Sequence, residues 1–437
     1  MKPTLLVAAR LLTPLAALLI ACSSPASVPP ASAASSTTAA AASTPSAPTA
    51  STTGTGAPAA TVSLAGPVDV DRVIAHLKVL SVDIGVRESG SENERRAARY
   101  IADVLTAQGY TTSVETFTYP ARYDDSVLRL AGGVTIKANL LDGSAMGTAN
   151  GMLVDGGTGQ PEQLAAAKGA IVLMRRGGLP FGQKVANAQQ AGALGVLVVN
   201  NEVGPFRGTL GQQRASIPAL AIDGSRAEAV RAALGQTVEM QAAGGTRQVT
   251  SQNVVGRRGD TCRAYIGSHY DSVAEGPGAN DNGSGTASML EMARVRGTDG
   301  LCAVAFGSEE TGLNGSQAYV ASQAAKGAKF VLNFDMMGRI EGPIIVGDPA
   351  LTESILGVLG RGADQPLRSG TFPPFASSDH VSFSSVGIPA VTITSGDDPN
   401  IHTPGDTLEA IRKADLQTML RLGDAALEGM LKTVGTR

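Results

Sequence analysis

The sequence predicts an α/β fold: a central, mostly parallel sheet flanked by helices, with a β-rich module inserted into it. Three observations lead there. After Gln252, short apolar runs alternate with helical stretches, the pattern by which crossover helices build parallel sheets. Three of those runs end in a histidine or a carboxylate, where open α/β sheets place their sites. Between Arg122 and Thr246 the pattern changes to short β-type runs divided by Gly-rich turns, with few residues of catalytic type.

The chain begins with Lys2 and Arg10 around an apolar run, and Leu15 to Ala21 lead into Cys22. That run is too short to remain as a spanning helix and reads as an export signal over residues 1–21. Leu19-Ile20-Ala21-Cys22 resembles a bacterial lipobox, which implies that Cys22 becomes the lipidated first residue and tethers the protein to a membrane; an ordinary signal cleaved near Ala21, leaving a free Cys, is the alternative. Ser23 follows it, and the lack of an Asp there points to the outer membrane. Residues 22–67 are dominated by Ala, Ser, Thr, Pro and Gly; such a stretch buries too little apolar surface to offset its ordering entropy and reads as a linker.

Ordered structure is expected from Val68, with residues 68–121 as the first part of the catalytic unit. Ser91-Glu92-Asn93-Glu94 is a capping box opening a helix that places Ala98, Ile101 and Leu105 on one face. Gly109 ends it, and the alternation from Thr112 to Tyr119 predicts a strand. In residues 122–249 the strand candidates are Met152–Val154, Ile171–Met174, Val196–Val199 and Ala219–Ile222. Here the strand ending in Arg176-Gly177, then Phe181 and Lys184, then a helix running into Ala191-Gly192-Ala193, resembles the protease-associated (PA) domain. The resemblance implies a lid or substrate-selecting module without catalytic residues.

Residues 250–437 form the second part. Strands are expected at Cys262–Gly267, Cys302–Gly307, Phe330–Phe334, Ile344–Val346 and Ala390–Ile393. Helices are expected at Ser284–Arg294, Ser316–Ala325, Leu351–Leu359 and Lys413–Leu431. Cys262 lies seven residues before His269 and Cys302 seven before Glu309, so on adjacent parallel strands the two sulfurs would sit at one height. An exported protein can oxidise such a pair; two buried thiols are the alternative, and the sequence leaves both open. A formal charge of −3, no Trp and 4% aromatic residues give neither the basic field nor the stacking surfaces that nucleic acid requires.

The chemistry-bearing residues cluster at the predicted strand ends. His269-Tyr270-Asp271 puts a carboxylate two residues after an imidazole, where it can accept the second ring N–H and orient a metal ligand. Gly278-Ala279-Asn280-Asp281-Asn282-Gly283 brings Asp281 to a crowded turn before a helix, whose N-terminus favours negative charge. Glu309-Glu310 follows an apolar strand; two adjacent carboxylates there demand nearby cations. Asp335 ends the next strand, and His402 opens the turn His402-Thr403-Pro404-Gly405-Asp406-Thr407. Imidazole and carboxylate together are the ligands zinc prefers.

In this order the set resembles the co-catalytic zinc aminopeptidases, a family that includes bacterial leucyl aminopeptidases and fungal aminopeptidase Y and often carries a PA insertion at this point. The resemblance implies a zinc-peptidase-like fold, peptide substrates and two Zn2+ ions per chain. It implies that Asp281 bridges them, that His269 and Asp335 complete one site, and that Glu310 and His402 complete the other. It makes Glu309 the general base and Asp271 the orienting carboxylate, and it suggests a cis peptide after the bridging Asp. Ser378-Asp379-His380, with Phe383, resembles a further motif lining the substrate pocket. Some members place a Tyr before the last His as an oxyanion donor; here Ile401 stands in that place. A carboxypeptidase or dipeptidase, a glutaminyl cyclase on the same scaffold, and a non-catalytic surface lipoprotein are the alternatives. The absence of an Arg cluster beside the ligands favours cleavage at the amino end.

Overall fold

The computed structural model describes residues 67–360, 366–374 and 376–435. The export signal, Cys22 and all but the last residue of the linker lie outside the described residues. The described chain opens with helices α1 (Val70–Lys78) and α2 (Glu92–Ala107) and strand β1 (Thr111–Asp124). The inserted part follows as β2 (Val127–Arg129), β3 (Thr135–Lys137), β4 (Asn139–Leu140), β5 (Gly147–Asp155), β6 (Ile171–Arg175), α3 (Phe181–Gln190), β7 (Gly195–Val199), β8 (Ala219–Ile222), α4 (Ala227–Ala232) and β9 (Thr237–Ala242). The chain returns through β10 (Gly244–Arg257) to β11 (Ala264–His269), α5 (Gly285–Arg296), β12 (Leu301–Phe306), α6 (Asn314–Ala321) and β13 (Phe330–Phe334). It ends with β14 (Ile344–Gly347), α7 (Pro349–Leu359), β15 (Arg368–Ser369), α8 (His380–Ser384), β16 (Ala390–Thr394) and α9 (Lys413–Thr433).

Two sheets result. In the first the order is β1-β10-β12-β11-β13-β16-β14-β15, and β12, β11, β13 and β16 run parallel. This is the mostly parallel sheet that the strand–helix alternation predicts. The second, β3-β2-β9-β5-β6-β7-β8-β4, takes all its strands from the insertion. It is mixed rather than simply β-rich: β5 to β8 are parallel, with α3 crossing from β6 to β7. The ribbon β1/β10 joins the two sheets, keeping its antiparallel ladder from Thr111↔Arg257 to Asp124↔Gly244.

The strands at the centre of the first sheet are buried along their whole length, as expected when helices cover both faces. One face packs Ile266, Ala303, Leu332 and Ile393 against α1, α2, α5 and α9. The other packs Tyr265, Phe306, Tyr319 and Phe383 around α6 and α8, with ring centroids 5.8–6.3 Å apart. Helix α5 is buried on every side, so its sequence shows no amphipathic stripe.

Ser91 caps α2 as expected, its Oγ accepting the Glu94 amide at 3.0 Å. The Glu94 carboxylate, fully buried, closes the motif on the Gly90 amide at 2.6 Å and takes the Ser251 hydroxyl as well. Burial lifts its carboxyl to about 8. The sequence pattern did not predict α1, which carries His76. Burial and then Arg72 depress that imidazole to about 4, and its Nδ1 lies 2.6 Å from the Tyr100 hydroxyl. A group with a depressed folded-state pKa contributes stability above its unfolded value near 6.5 and loses it as pH falls through 4. With allowance for partial exposure, the loss amounts to about 2 kcal/mol. His76→Gln should therefore flatten the acid limb of Tm against pH between 6.5 and 4.

Cys262 and Cys302 are joined in a disulfide with Cα atoms 5.5 Å apart. The two cysteines do not sit at one height. Tyr265, not Cys262, lies opposite Cys302 in the parallel ladder, and Cys262 reaches back from just before β11. The bond closes a sequence separation of 40 residues. Its removal by Cys262→Ala is expected to cost about 4 kcal/mol, measurable as a lower midpoint in denaturant.

Candidate metal centre

The site forms at the carboxyl ends of β11, β12 and β13 and in two loops that fold over them. His269 is the last residue of β11, opposite Phe306 of β12, so Glu309 and Glu310 follow three and four residues beyond the paired position. Asp335 follows the last residue of β13. Ser308, Met336 and His402 itself adopt left-handed backbone (φ 57°, 60° and 56°), each beside or within the cluster. Non-glycine residues held in that region are uncommon and cluster at active sites and ligand clamps.

Asp281 is brought to these strand ends by the turn before α5. Asn282 stitches it in place: its Nδ2 donates to Phe334 O at 2.9 Å and Ser268 Oγ at 3.1 Å, while its Oδ1 accepts the Gly285 and Met336 amides. Gly285 must lack a side chain, because a Cβ would sit 2.3 Å from Phe334 O. The Asp281–Asn282 peptide is cis.

Both oxygens of Asp281 face imidazoles. His269 Nε2 lies 3.3 Å from Oδ1 and His402 Nε2 lies 3.1 Å from Oδ2. His269 Nε2 is also 3.4 Å from Asp335, and His402 Nε2 is 3.0 Å from Glu310. Among the described residues, His269, Glu309 and Asp335 bring ligand atoms within 4.8 Å of one another, as do His269, Asp281 and Glu310. All five residues expected to be ligands, and Glu309, line one pocket of about 540 Å³.

Asp271 lies fully buried behind them. Its oxygens accept the backbone amides of Glu309 (3.1 Å) and Glu310 (3.3 Å) and the Ser89 hydroxyl (3.2 Å). Its distance to His269 Nδ1 is 3.5 Å, longer than a firm hydrogen bond. Asp271 thus grips the two glutamates at least as firmly as the imidazole.

The electrostatics show a cluster short of positive charge. Burial pushes Glu309 well above the usual carboxylate range; His269 opposes this, and Asp379, Asp335 and Glu310 add to it. Burial and then Asp281 lift Glu310 to about 7. Bonds to Asp281 and Glu310 raise His402 to about 10. Burial would lower His269, but Glu309, Asp335, Asp271 and Asp281 raise it well above its ordinary value. Burial works against ionised Asp281 too, yet the two imidazoles hold it well below its usual range. Without cations these groups compensate one another by taking up protons.

Divalent ions fit this donor set. Glu310 Oε1 and Asp335 Oδ1 are buried with no hydrogen-bond partner, and His269 turns Nε2, not the Nδ1 that faces Asp271, toward Asp281 and Asp335. Orphaned buried polar atoms are rare and costly, and here they belong to residues of metal-ligand type.

The Ser378-Asp379-His380 motif does not line this pocket, contrary to the expectation from resemblance. Ser378 stands behind it, donating its hydroxyl to Asp335 Oδ2 at 2.6 Å and accepting from Asn333. Asp379 is fully buried beside Glu309, pushed to about 7 by burial. His380 turns away to Thr392 Oγ1 (2.8 Å) and a separate surface cleft, and Phe383 joins the core. Ile401 lines the metal pocket with Met336, Ile344 and Phe372, so the place of a Tyr donor is apolar.

Sequence reasoning missed Asp406. Its two oxygens accept the Asn280 amide at 2.7 Å and the Asp281 amide at 2.9 Å. Asp398 supports the same turn by accepting from Asn280 Nδ2 at 2.8 Å. The available signal was a carboxylate four residues after His402, in a turn already marked by that imidazole.

Comparison with known proteins agrees with this arrangement. Residues 253–426 match Peptidase family M28 and residues 140–230 match the PA domain. Aminopeptidase YwaD of Bacillus subtilis is 32% identical over 395 residues, covering 84% of this chain and 86% of that protein. A probable lipoprotein aminopeptidase of Mycobacterium tuberculosis, LpqL, is 29% identical, covering 81% and 83%. The solved zinc aminopeptidase BSAP from B. subtilis superposes with a TM-score of 0.66 at 29% identity, over 84% of this chain and 95% of that one. With 32% identity over an alignment that covers 86% of a relative, and with the family's own match covering the metal centre, this chain belongs to Peptidase family M28.

Proposed function

We propose that the chain is a zinc-dependent aminopeptidase whose centre holds two Zn2+ ions. Asp281 would be the ligand shared by both ions, His269 and Asp335 would hold one with it, Glu310 and His402 would hold the other, and Glu309 is the general base. The observation that carries this reading is the seating of Asp281 between two imidazoles, one on each carboxylate oxygen, as a bridging ligand requires. Zinc, when bound, supplies Lewis-acid polarisation of the scissile carbonyl and lowers the pKa of water.

The chain's own residues do the rest. Glu309 takes a proton from the attacking water onto its carboxylate and hands it to the departing amine. Asp271, through the amides of Glu309 and Glu310, keeps base and ligand at fixed relative positions. Met336, Ile344, Phe372 and Ile401 offer apolar wall to the first side chain of the substrate, and Asp397 and Asp398 add negative charge near its ammonium group. Residues 122–249 act as the PA module between the catalytic parts 68–121 and 250–437, and Cys22, lipidated after loss of residues 1–21, tethers the protein to the membrane. No helix among the described residues is long and apolar enough to cross one.

The test is hydrolysis of aminoacyl-nitroanilides and of N-acetylated controls, with and without chelator. The expected result is cleavage of free-amine substrates alone, lost on chelation and restored by zinc. Preferential cleavage of the blocked controls would overturn the reading.

A further inference from the structure

A second groove, of about 640 Å³, lies along the inserted sheet and is separate from the metal pocket. Strand β3 forms one side of it and the Pro205–Arg207 segment the other, with Glu275 entering from the first sheet's side. Strand β3 is an edge strand, paired only with β2. The phase of that ladder is set by Leu130 N donating to Val134 O and Ala138 N to Ser126 O. Residues therefore alternate so that the amides and carbonyls of Thr135 and Lys137 point away from β2, along the groove. An unpaired edge of this kind is a template for an extended chain.

The groove's charge is also directional. Lys137, Arg207 and Arg226 line it, and none makes a side-chain ion pair among the described residues. Asp223 lines it as well, its Oδ1 taking the Gly204 and Ser225 amides at 3.0 and 2.7 Å and its charge lying near Arg226, so three basic groups face two acidic ones, Asp223 and Glu275, and the balance is positive. The acidic group at the other limit is Glu275. Its neighbour Gly276 packs so closely on the His402 turn that a Cβ there would lie 2.2 Å from Thr403 O. One loop thus walls the groove and touches the rim of the metal pocket.

We propose that this groove is an exosite for the leaving side of a peptide substrate, which adds as a short strand to β3 and places carboxylates against Lys137, Arg207 and Arg226. Glu275 makes the end near the metal pocket acidic, so the favoured carboxylates lie several residues downstream of the scissile bond. They are acidic side chains or the free C-terminus of the peptide. The inference rests on the peptidase reading for its substrate, but its test does not depend on turnover.

The test compares the wild-type protein with a Lys137→Glu, Arg207→Glu, Arg226→Glu triple variant, all at exposed positions. Binding of fluorescent N-acetylated decapeptides is measured by anisotropy, with acidic or neutral downstream residues and with free or amidated C-termini. Loss of about tenfold in affinity for carboxylate-bearing peptides, with neutral amidated peptides unchanged, is the expected result. The free-acid and amidated arms tell a terminal carboxylate from acidic side chains. Hydrolysis of a leucyl-nitroanilide, too short to reach the groove, should stay within about twofold of wild type while kcat/KM on long acidic peptides falls mainly through KM. Equal affinity of both proteins for the acidic peptides overturns the exosite. So does an equal fall on nitroanilide and long peptide, which would place the change at the metal centre. If the wild type cleaves no free-amine substrate, the peptidase reading fails, and the anisotropy arms still decide the groove.

Discussion

Glu309→Gln is expected to lower kcat by about a thousandfold while leaving the zinc content and KM close to those of the wild type. The amide matches the carboxylate in shape but cannot take a proton at neutral pH. The backbone of residue 309 stays held, since its N–H is given to Asp271 Oδ1 at 3.1 Å and Ser308 fixes the left-handed turn before it. The neighbouring glutamate gives the contrasting result. Glu310 Oε2 faces His402 at 3.0 Å and its other oxygen is buried without a hydrogen-bond partner, so Glu310→Gln should lose metal together with activity. Zinc measured by elemental analysis on both variants, beside single-turnover rates, separates base from ligand. A Glu309→Gln protein with a near-normal rate would refute the assignment, and one that binds a single ion would make Glu309 a ligand.

Much of this centre was legible because a buried parallel strand writes its ends plainly. Ala303–Phe306 is an unbroken apolar run and Phe330–Phe334 is interrupted only by Asn333, so the first acidic groups after them lie at the sheet's carboxyl edge. His269, Glu309, Glu310 and Asp335 follow from that rule, and Asp281 and His402 from the turns that hold them. What the sequence did not show depends on contacts between distant segments. Ser378 meets Asp335 across 43 positions, Asp271 meets the two glutamates across 38 and 39, and Asp406 meets Asp281 across 125. None of these bonds leaves a periodicity. The cysteine pair is instructive for the same reason: spacing from the functional residues suggested equal height, whereas ladder register, set by packing, placed Tyr265 there. The Ser378-Asp379-His380 motif was found as a pattern but misplaced, because a five-residue helix, α8, starting at His380 turns its imidazole toward Thr392.

Asp406→Asn should weaken metal binding about 10- to 100-fold at the site shared by Asp281, Glu310 and His402. Asp406 is 2% exposed, and each of its oxygens holds one amide of the Asn280–Asp281 segment. An asparagine offers one acceptor to those two N–H groups and turns its NH2 against the other. One buried amide is then unsatisfied, at a cost of about 1–3 kcal/mol, and the segment relaxes by shifting Asp281. Since Asp406 also sits four residues after His402, the same movement separates the two ligands that face each other at 3.1 Å. A merely structural carboxylate would lower Tm without touching metal affinity, and Asp424→Asn supplies that control. Asp424 pairs with Arg296 at 2.7 Å through both oxygens on α9, away from the pocket lining. Chelator competition on the two variants decides the matter. If Asp406→Asn and Asp424→Asn retain zinc equally while both lose Tm, Asp406 is only a brace for the fold. If only the first releases an ion, the bond from Asp406 to the Asp281 amide is what holds Asp281 in place as a ligand.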